Sequence, residues 1–303
     1  MLLGEERILE TLRRALAEAP GDAKEALFMG QTQGLTRYAE SNIHQNMHIH
    51  DQDVWFRIAV GKKIGAASTS SFEPADLKAA TLAAPEMALH QPEIPYFEGF
   101  AKPAPVKKIK TYFLRTAKAN ARLRAKTMKA IFERARRDSV RIAGSFATTE
   151  GETAVLNTEG VAHYQPHTAA TISIFALSDT SSGHADGYVR DVRNPRDLEP
   201  GKYDVVLEPT AVSEVMEWMC FTAFNPKAYD DGMSFIEGRE GKRVMGENVT
   251  IYDSGLERDG IPAPFDFEGA PKRKTYLVRK GRAKGIVYDS LFGAKFKTET
   301  TGN

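Results

Sequence analysis

The sequence predicts an α+β protein: an N-terminal domain of antiparallel sheets and long helices over residues 1–195, then a β-rich second domain over 196–303. Three observations predict it. Apolar residues recur at helical spacing in several stretches, and between those stretches they alternate at period two, punctuated by Gly and polar turns. The length, 303 residues, corresponds to about two domains at roughly 150 residues each.

The elements follow in order. Glu5 to Ala19 carries Ile8, Leu9, Leu12, Ala15 and Leu16 on one helical face, and Pro20-Gly21 stops it. From Glu25 to Ser71 the period is two, with turn signals at Gly34, Asn42, Asp51 to Asp53 and Gly61, which predicts a meander of four strands. A second helix runs from Pro74 to about His90, and Pro92, Pro95, Pro103 and Pro105 mark an extended connector. Thr111 to Arg137 predicts one helix roughly 40 Å long. Its apolar stripe is Leu114, Ala117, Ala121, Ala125, Met128, Phe132 and Ala135; a basic stripe of Arg115, Lys118, Arg122, Lys126, Lys129 and Arg136 lies one position on. Strands are predicted at Arg141–Thr148, Thr153–Thr158, Val161–Leu177 and Ala185–Val192. Tyr203 to Leu207 reads as a buried-type strand leading into a helix over Thr210–Ala223, and residues 247–303 as strand and turn.

Charge and composition bound the function. The net charge of +1 hides a segment, Lys102 to Arg141, with fourteen basic residues against Glu133 and Asp138. That segment reads first as a solvated helix face, then as a dock for an acidic partner; sparse aromatics argue against single-stranded nucleic acid. Cys220 is the single cysteine, so no intrachain disulfide forms, and its helix position predicts a buried, inert thiol. The N-terminus has no signal-peptide pattern, and no run reaches the ~20 apolar residues of a membrane helix. The expectation is a cytoplasmic protein with no membrane partner.

The chemical candidates are few. His44, His48 and His50 share parity on a predicted strand and would face one side, where two imidazoles could hold one metal. No acid or cysteine stands near them at ligand spacing. His163 and His167 also share parity, with Pro166 expected to disrupt their strand. Phosphate-binding glycine loops and a G-x-S-x-G nucleophile elbow are absent.

Three separated segments resemble the TldD/PmbA family, once described as modulators of DNA gyrase and regarded as metalloproteases. Thr36-Arg37-Tyr38-Ala39-Glu40-Ser41-Asn42-Ile43-His44-Gln45 is similar to the family's N-terminal T-R-[FY]-A-x-S-x-I-H-Q strand pair. Pro200 to Pro209 resembles the strand entering the central helix. Pro264-Phe265-Asp266-Phe267-Glu268-Gly269-Ala270-Pro271, followed by Gly285 to Ser290 and Thr300-Thr301-Gly302-Asn303, resembles the P-F-D-x-E-G-x-P region and the later [ST]-T-G-[NH] turn.

The resemblance carries specific expectations. TldD-type subunits bear H-E-x-x-x-H on the central helix, which binds zinc. Here Glu217, Trp218 and Phe221 stand at those positions, so the match is to the PmbA (TldE) type, with no catalytic residue, metal ligand or cofactor in this chain. The resemblance implies a pseudoenzyme subunit that pairs with a zinc-bearing TldD-type subunit, or as a homodimer, in an assembly acting on unfolded peptides. It offers Phe265, Asp266, Glu268 and Gly269 as peptide-groove candidates. The alternatives are a metallopeptidase or other hydrolase working through His44, His48 or His50, and a binding module docking through residues 111–137. Two departures from the family pattern stand out: a short passage from Gly187-Tyr188 to Asn194-Pro195, and an end at Asn303 inside a motif, which predicts an incomplete second domain.

Overall fold

A computed structural model describes residues 2–179, 182–185, 199–257, 260 and 262–303. The motif at Gly187-Tyr188, the short passage to Asn194-Pro195 and the expected boundary at residue 195 lie outside these residues. The chain runs α1 (Glu5–Glu18), β1 (Ala23–Ala39), β2 (Asn42–Val60), β3 (Lys63–Thr69), α2 (Pro74–Leu89), α3 (Leu114–Ala117), α4 (Ala121–Arg137), β4 (Arg141–Asn157), β5 (Ala162–Leu177) and β6 (Ser182–Ala185). The six strands form one sheet, ordered β3-β2-β1-β4-β5-β6, with every neighbouring pair antiparallel.

Alternation along the strands divides this sheet into two faces. On one, Ala26, Phe28, Val54, Phe56, Ile58, Ala154 and Leu156 are buried against Ile8, Leu9, Leu12 and Leu16 of α1 and Leu77, Ala80 and Ala84 of α2. Farther along that face, Tyr38 packs with Met128, Phe132 and Ala135 of α4. The opposite face holds Ala23, Ala59 and Val155 under Phe100, Ala101, Val161 and Phe265. Helices therefore cover one face, and the connector and C-terminal region the other.

The meander has three strands rather than four. Gly34 and Asp51 to Asp53 lie inside β1 and β2, and Glu150-Gly151 lies inside β4. These glycines serve close approach, not turning: a Cβ on Gly34 would stand 2.3 Å from the Arg124 guanidinium, and one on Gly151 2.5 Å from the His167 ring. Asp51 to Asp53 stand beyond the end of β3, which pairs with β2 only from Val54 onward, so their side chains stay near water. Two-residue turns fall at Glu40-Ser41, both at positive φ (47° and 55°), and at Gly61-Lys62, where Gly61 (φ 58°) joins the paired Val60 and Lys63. Ser41 locks the first by exchanging hydrogen bonds with Ile142: its N–H donates to the Ile142 carbonyl, and its hydroxyl accepts from the Ile142 N–H.

The basic segment is not one helix. It is extended to Phe113, makes the single turn of α3 and restarts at α4, because Asn120 takes an extended conformation and its Oδ1 accepts from the Leu123 N–H (3.0 Å). Arg115, Lys118, Arg122, Lys126, Lys129 and Arg136 are exposed as expected, but so is Leu114. Pro166 does not break β5. Its missing N–H lies on the side of the strand away from β4, where the connector crosses: Thr111 donates its hydroxyl to the Pro166 carbonyl and accepts from the Thr168 N–H.

The C-terminal region comprises α5 (Pro209–Thr222), α6 (Pro226–Asp230), β7 (Ile251–Asp253), β8 (Thr275–Arg279), β9 (Arg282–Ala283) and α7 (Ser290–Lys295). Its core is Ala223, Phe224, Ile236, Leu277, Val278, Ala283 and Ile286. Two expectations fail here. Tyr203 to Leu207 forms no strand and is exposed, Val206 to 96%; no described strand lies beside it to accept its backbone bonds. Cys220 is exposed, since α5 turns Met216 and Met219, not Cys220, toward that core. No described helix is long and apolar enough to cross a membrane.

Candidate functional site

The residues of the third motif meet the sheet along one seam. Arg57 on β2 stands directly across from Glu25 on β1. Its Nε donates to Glu25 Oε1 (2.8 Å) and its Nη2 to Glu268 Oε1 (2.9 Å), so one guanidinium ties the central sheet to the C-terminal region. Glu268 Oε2 accepts from the Ser290 N–H (2.8 Å), which joins the motif's second piece to its first. The third piece closes the same knot. Thr301 accepts from the Tyr288 N–H (2.8 Å), and Gly302, at φ 73°, passes so close to the Pro271 carbonyl that a Cβ would stand 2.2 Å from it.

The groove candidates separate by burial. Phe265 is buried and stacks on His163 of β5 at 5.1 Å. Gly269, at φ 79°, lies where a Cβ would meet Val161 at 2.3 Å, so it is a packing position. Asp266 Oδ1 accepts from the Glu268 and Ala270 N–H groups (2.9 and 2.8 Å) and holds the tight turn of the motif. Glu268 alone borders open space, a cleft of about 460 Å³ walled by Arg57, Phe97, Phe100, Ala270, Leu291 and Thr300 among others. Arg57 also stands 5.2 Å from the Phe100 ring there.

The seam is electrostatically tense. Burial outweighs Arg57 at Glu25 and pushes its carboxyl up to about 7, and burial likewise raises Asp266 to about 6. Burial also raises Asp289, whose Oδ1 caps α7 by accepting from the Phe292 N–H (2.7 Å). His163 is pushed down by burial. Glu25 Oε2, Asp266 Oδ2 and His163 Nε2 are buried without a partner among the described residues. Sequence reasoning found Asp266 and Glu268 but missed Glu25 and Arg57, which no motif marks. Two opposite charges directly paired across strands inside apolar runs were the available signal.

The other candidates do not assemble. A bulge opposite Arg37/Tyr38 leaves His44 between partners, since Arg37 pairs with Gln45 and Tyr38 with Ile43. Shared parity therefore holds for His48 and His50 only. His50 Nδ1 is bonded to the Thr32 hydroxyl (3.0 Å). No three His, Cys, Asp or Glu side chains cluster to hold a metal among the described residues. On α5, Glu217, Trp218 and Phe221 are exposed, Trp218 to 72%, and the helix offers no imidazole, so these residues do not fit a zinc site. Trp218 and Phe221 follow Val212 and Val215 at every third residue of α5, all exposed, and Val205, Val206 and Leu207 just before the helix are exposed as well.

A sheet backed by helices on one face, and tied through a charged seam to an α/β cap on the other, defines the architectural class. Residues 200–303 match the family model for the PmbA/TldA metallopeptidase C-terminal domain. Nearly the whole chain shares its fold with solved structures of this class. TldE from Thermococcus kodakarensis superposes with a TM-score of 0.77 at 18% identity, over 98% of this chain and 72% of that one. A candidate modulator of DNA gyrase from Thermotoga maritima gives a TM-score of 0.77 at 18% identity, over 98% and 74% of the two chains. An uncharacterized protein of Methanocaldococcus jannaschii is 31% identical over 103 residues, 34% of this chain and 25% of the relative. The match thus spans a quarter of the curated relative's length. Residues 200–303 are thus similar to the C-terminal domain of the TldD/PmbA family, and nearly the whole chain shares the fold of TldE.

Proposed function

We propose that this chain is a non-catalytic, PmbA/TldE-like subunit of a cytoplasmic TldD/TldE-type metalloprotease assembly that processes or degrades unfolded peptides. One observation carries the reading: α5, the helix that would bear two zinc-binding imidazoles and a general base, bears Glu217, Trp218 and Phe221 instead. A glutamate, an indole and a phenyl ring cannot supply that donor set. The zinc belongs to a TldD-type partner or, in a homodimer, is dispensed with. The exposed apolar side chains of α5, Val212, Val215, Trp218 and Phe221, support a role in pairing, because uncovered apolar residues of this kind mark an interaction site in a folded protein.

The test is metal content and peptide hydrolysis. The isolated chain is expected to hold no stoichiometric zinc and to leave an unstructured peptide intact. Hydrolysis is expected when a relative carrying H-E-x-x-x-H is added. Stoichiometric zinc together with turnover by this chain alone would sink the reading.

A further inference from the structure

A second cleft, of about 300 Å³, lies on the helix-covered face of the sheet. Its floor is a row of facing strand residues: Gly34 pairs with His48 and Thr148, and Thr32 with Glu150. Its roof is the corner between α3 and α4, residues 116–121. Arg124, one turn into α4, lines this cleft although it is 3% exposed.

The guanidinium lies flat on Gly34, the position where any side chain would collide with it. Nε donates to Thr36 Oγ1 (3.0 Å), Nη1 to Thr148 Oγ1 (2.9 Å) and the Ala119 carbonyl (3.1 Å), and Nη2 to Asn46 Oδ1 (3.2 Å). All four acceptors are neutral. The fifth N–H, on Nη2, has no acceptor among the described residues, and no carboxylate pairs with the group. Taking an unpaired cation out of water costs several kcal/mol, so buried guanidinium groups ordinarily meet a carboxylate or a phosphate. The cleft's single acid, Glu150, is engaged elsewhere, accepting from the Tyr112 hydroxyl at 2.6 Å. The N-terminus of α4, with its partial positive charge, and the exposed Lys118 add the same sign at the rim.

We propose that this cleft binds a small oxyanion, a carboxylate or phosphate group, against Arg124. Its source on the peptide-processing reading above is the free C-terminal carboxylate of a peptide; inorganic phosphate is the other source. The site itself stands on geometry independent of that reading.

Calorimetric titration of the whole chain separates the sources. The probes are inorganic phosphate and a tetra-alanine peptide with a free or an amidated C-terminus. Phosphate and the free acid are expected to bind, with the amide weaker by about tenfold or more. Arg124→Gln is expected to lose binding, and Lys118→Glu, on an exposed side chain, to weaken it severalfold with the fold intact. Binding of phosphate but of neither peptide supports the oxyanion site and removes its peptide source. No binding of any probe overturns the proposal. So does equal binding of acid and amide, or wild-type affinity in Lys118→Glu and in a folded Arg124→Gln.

Discussion

Two apolar stretches of this chain meet opposite fates. Val54 to Val60 lies at the heart of the sheet, where Val54, Phe56 and Ile58 are wholly buried. Tyr203 to Leu207 is just as apolar in composition, yet Val205 is 68% and Val206 96% exposed. The difference is partnership. Val54 to Val60 has β1 on one side, β3 on the other and two helices above. Residues 203–207 have no strand beside them among the described residues, and Val215, Trp218 and Phe221 of the α5 helix that follows are likewise exposed. An apolar run is a demand for a partner, and only the first stretch finds its partner within the described fold.

That contrast can be broken most forcibly at the seam. Arg57→Met leaves Glu25 and Glu268 facing each other without their cation. Because Arg57 is partly exposed, the expected loss is about 3 kcal/mol at pH 8, at the low end for breaking a buried pair. Urea unfolding checks it. The loss should shrink at pH 5, where Glu25, raised to about 7, takes up a proton.

The next effect is one of pH. Glu25 is raised in the folded protein from 4.5 to about 7, so the stability it contributes is complete below 4.5 and is lost as pH rises through about 7. Glu25→Gln fixes the neutral form. Its stability relative to the parent should therefore rise across that window, by on the order of 3 kcal/mol. Parallel urea titrations from pH 4.5 to 8 read this difference, and a difference that stays flat would remove the burial argument.

A smaller effect tests the break in the basic segment. Asn120→Ala removes the cap of α4 and should cost about 1 kcal/mol. No measurable change in thermal unfolding would mean that the helix does not depend on this start. The smallest effect is the most telling for the contrast: Trp218→Ala and Phe221→Ala should each change the unfolding free energy of the isolated chain by less than about 0.5 kcal/mol. The equivalent change at Phe56 should cost about 3–5 kcal/mol. Sedimentation of the same variants is expected to show weakened association.

Much of the sheet was legible in the sequence because period-two alternation reports which face is buried, and a hairpin such as Thr36 to Gln45 carries its turn residues with it. Gly34 and Gly151 were misread because a glycine that admits a neighbour's side chain is locally indistinguishable from one that turns the chain. Arg124 was hidden in a helix full of basic residues: its burial comes from Gly34, Thr36 and Thr148, which are distant in sequence. The seam was half legible. Glu268 sits in a recognisable motif, but Arg57 becomes its partner only once the C-terminal region folds across the sheet. Residues 203–207 were misread for the reverse reason, since composition announces burial without saying against what.

Hydrogen exchange compares the two stretches directly. In the isolated chain, the amides of 203–207 are expected to exchange at the rate of an unstructured segment while those of 54–60 are protected by several orders of magnitude. Adding a relative that carries H-E-x-x-x-H should then protect 203–207. Strong protection of 203–207 in the monomeric chain alone would contradict the account, because this surface would then already have its partner.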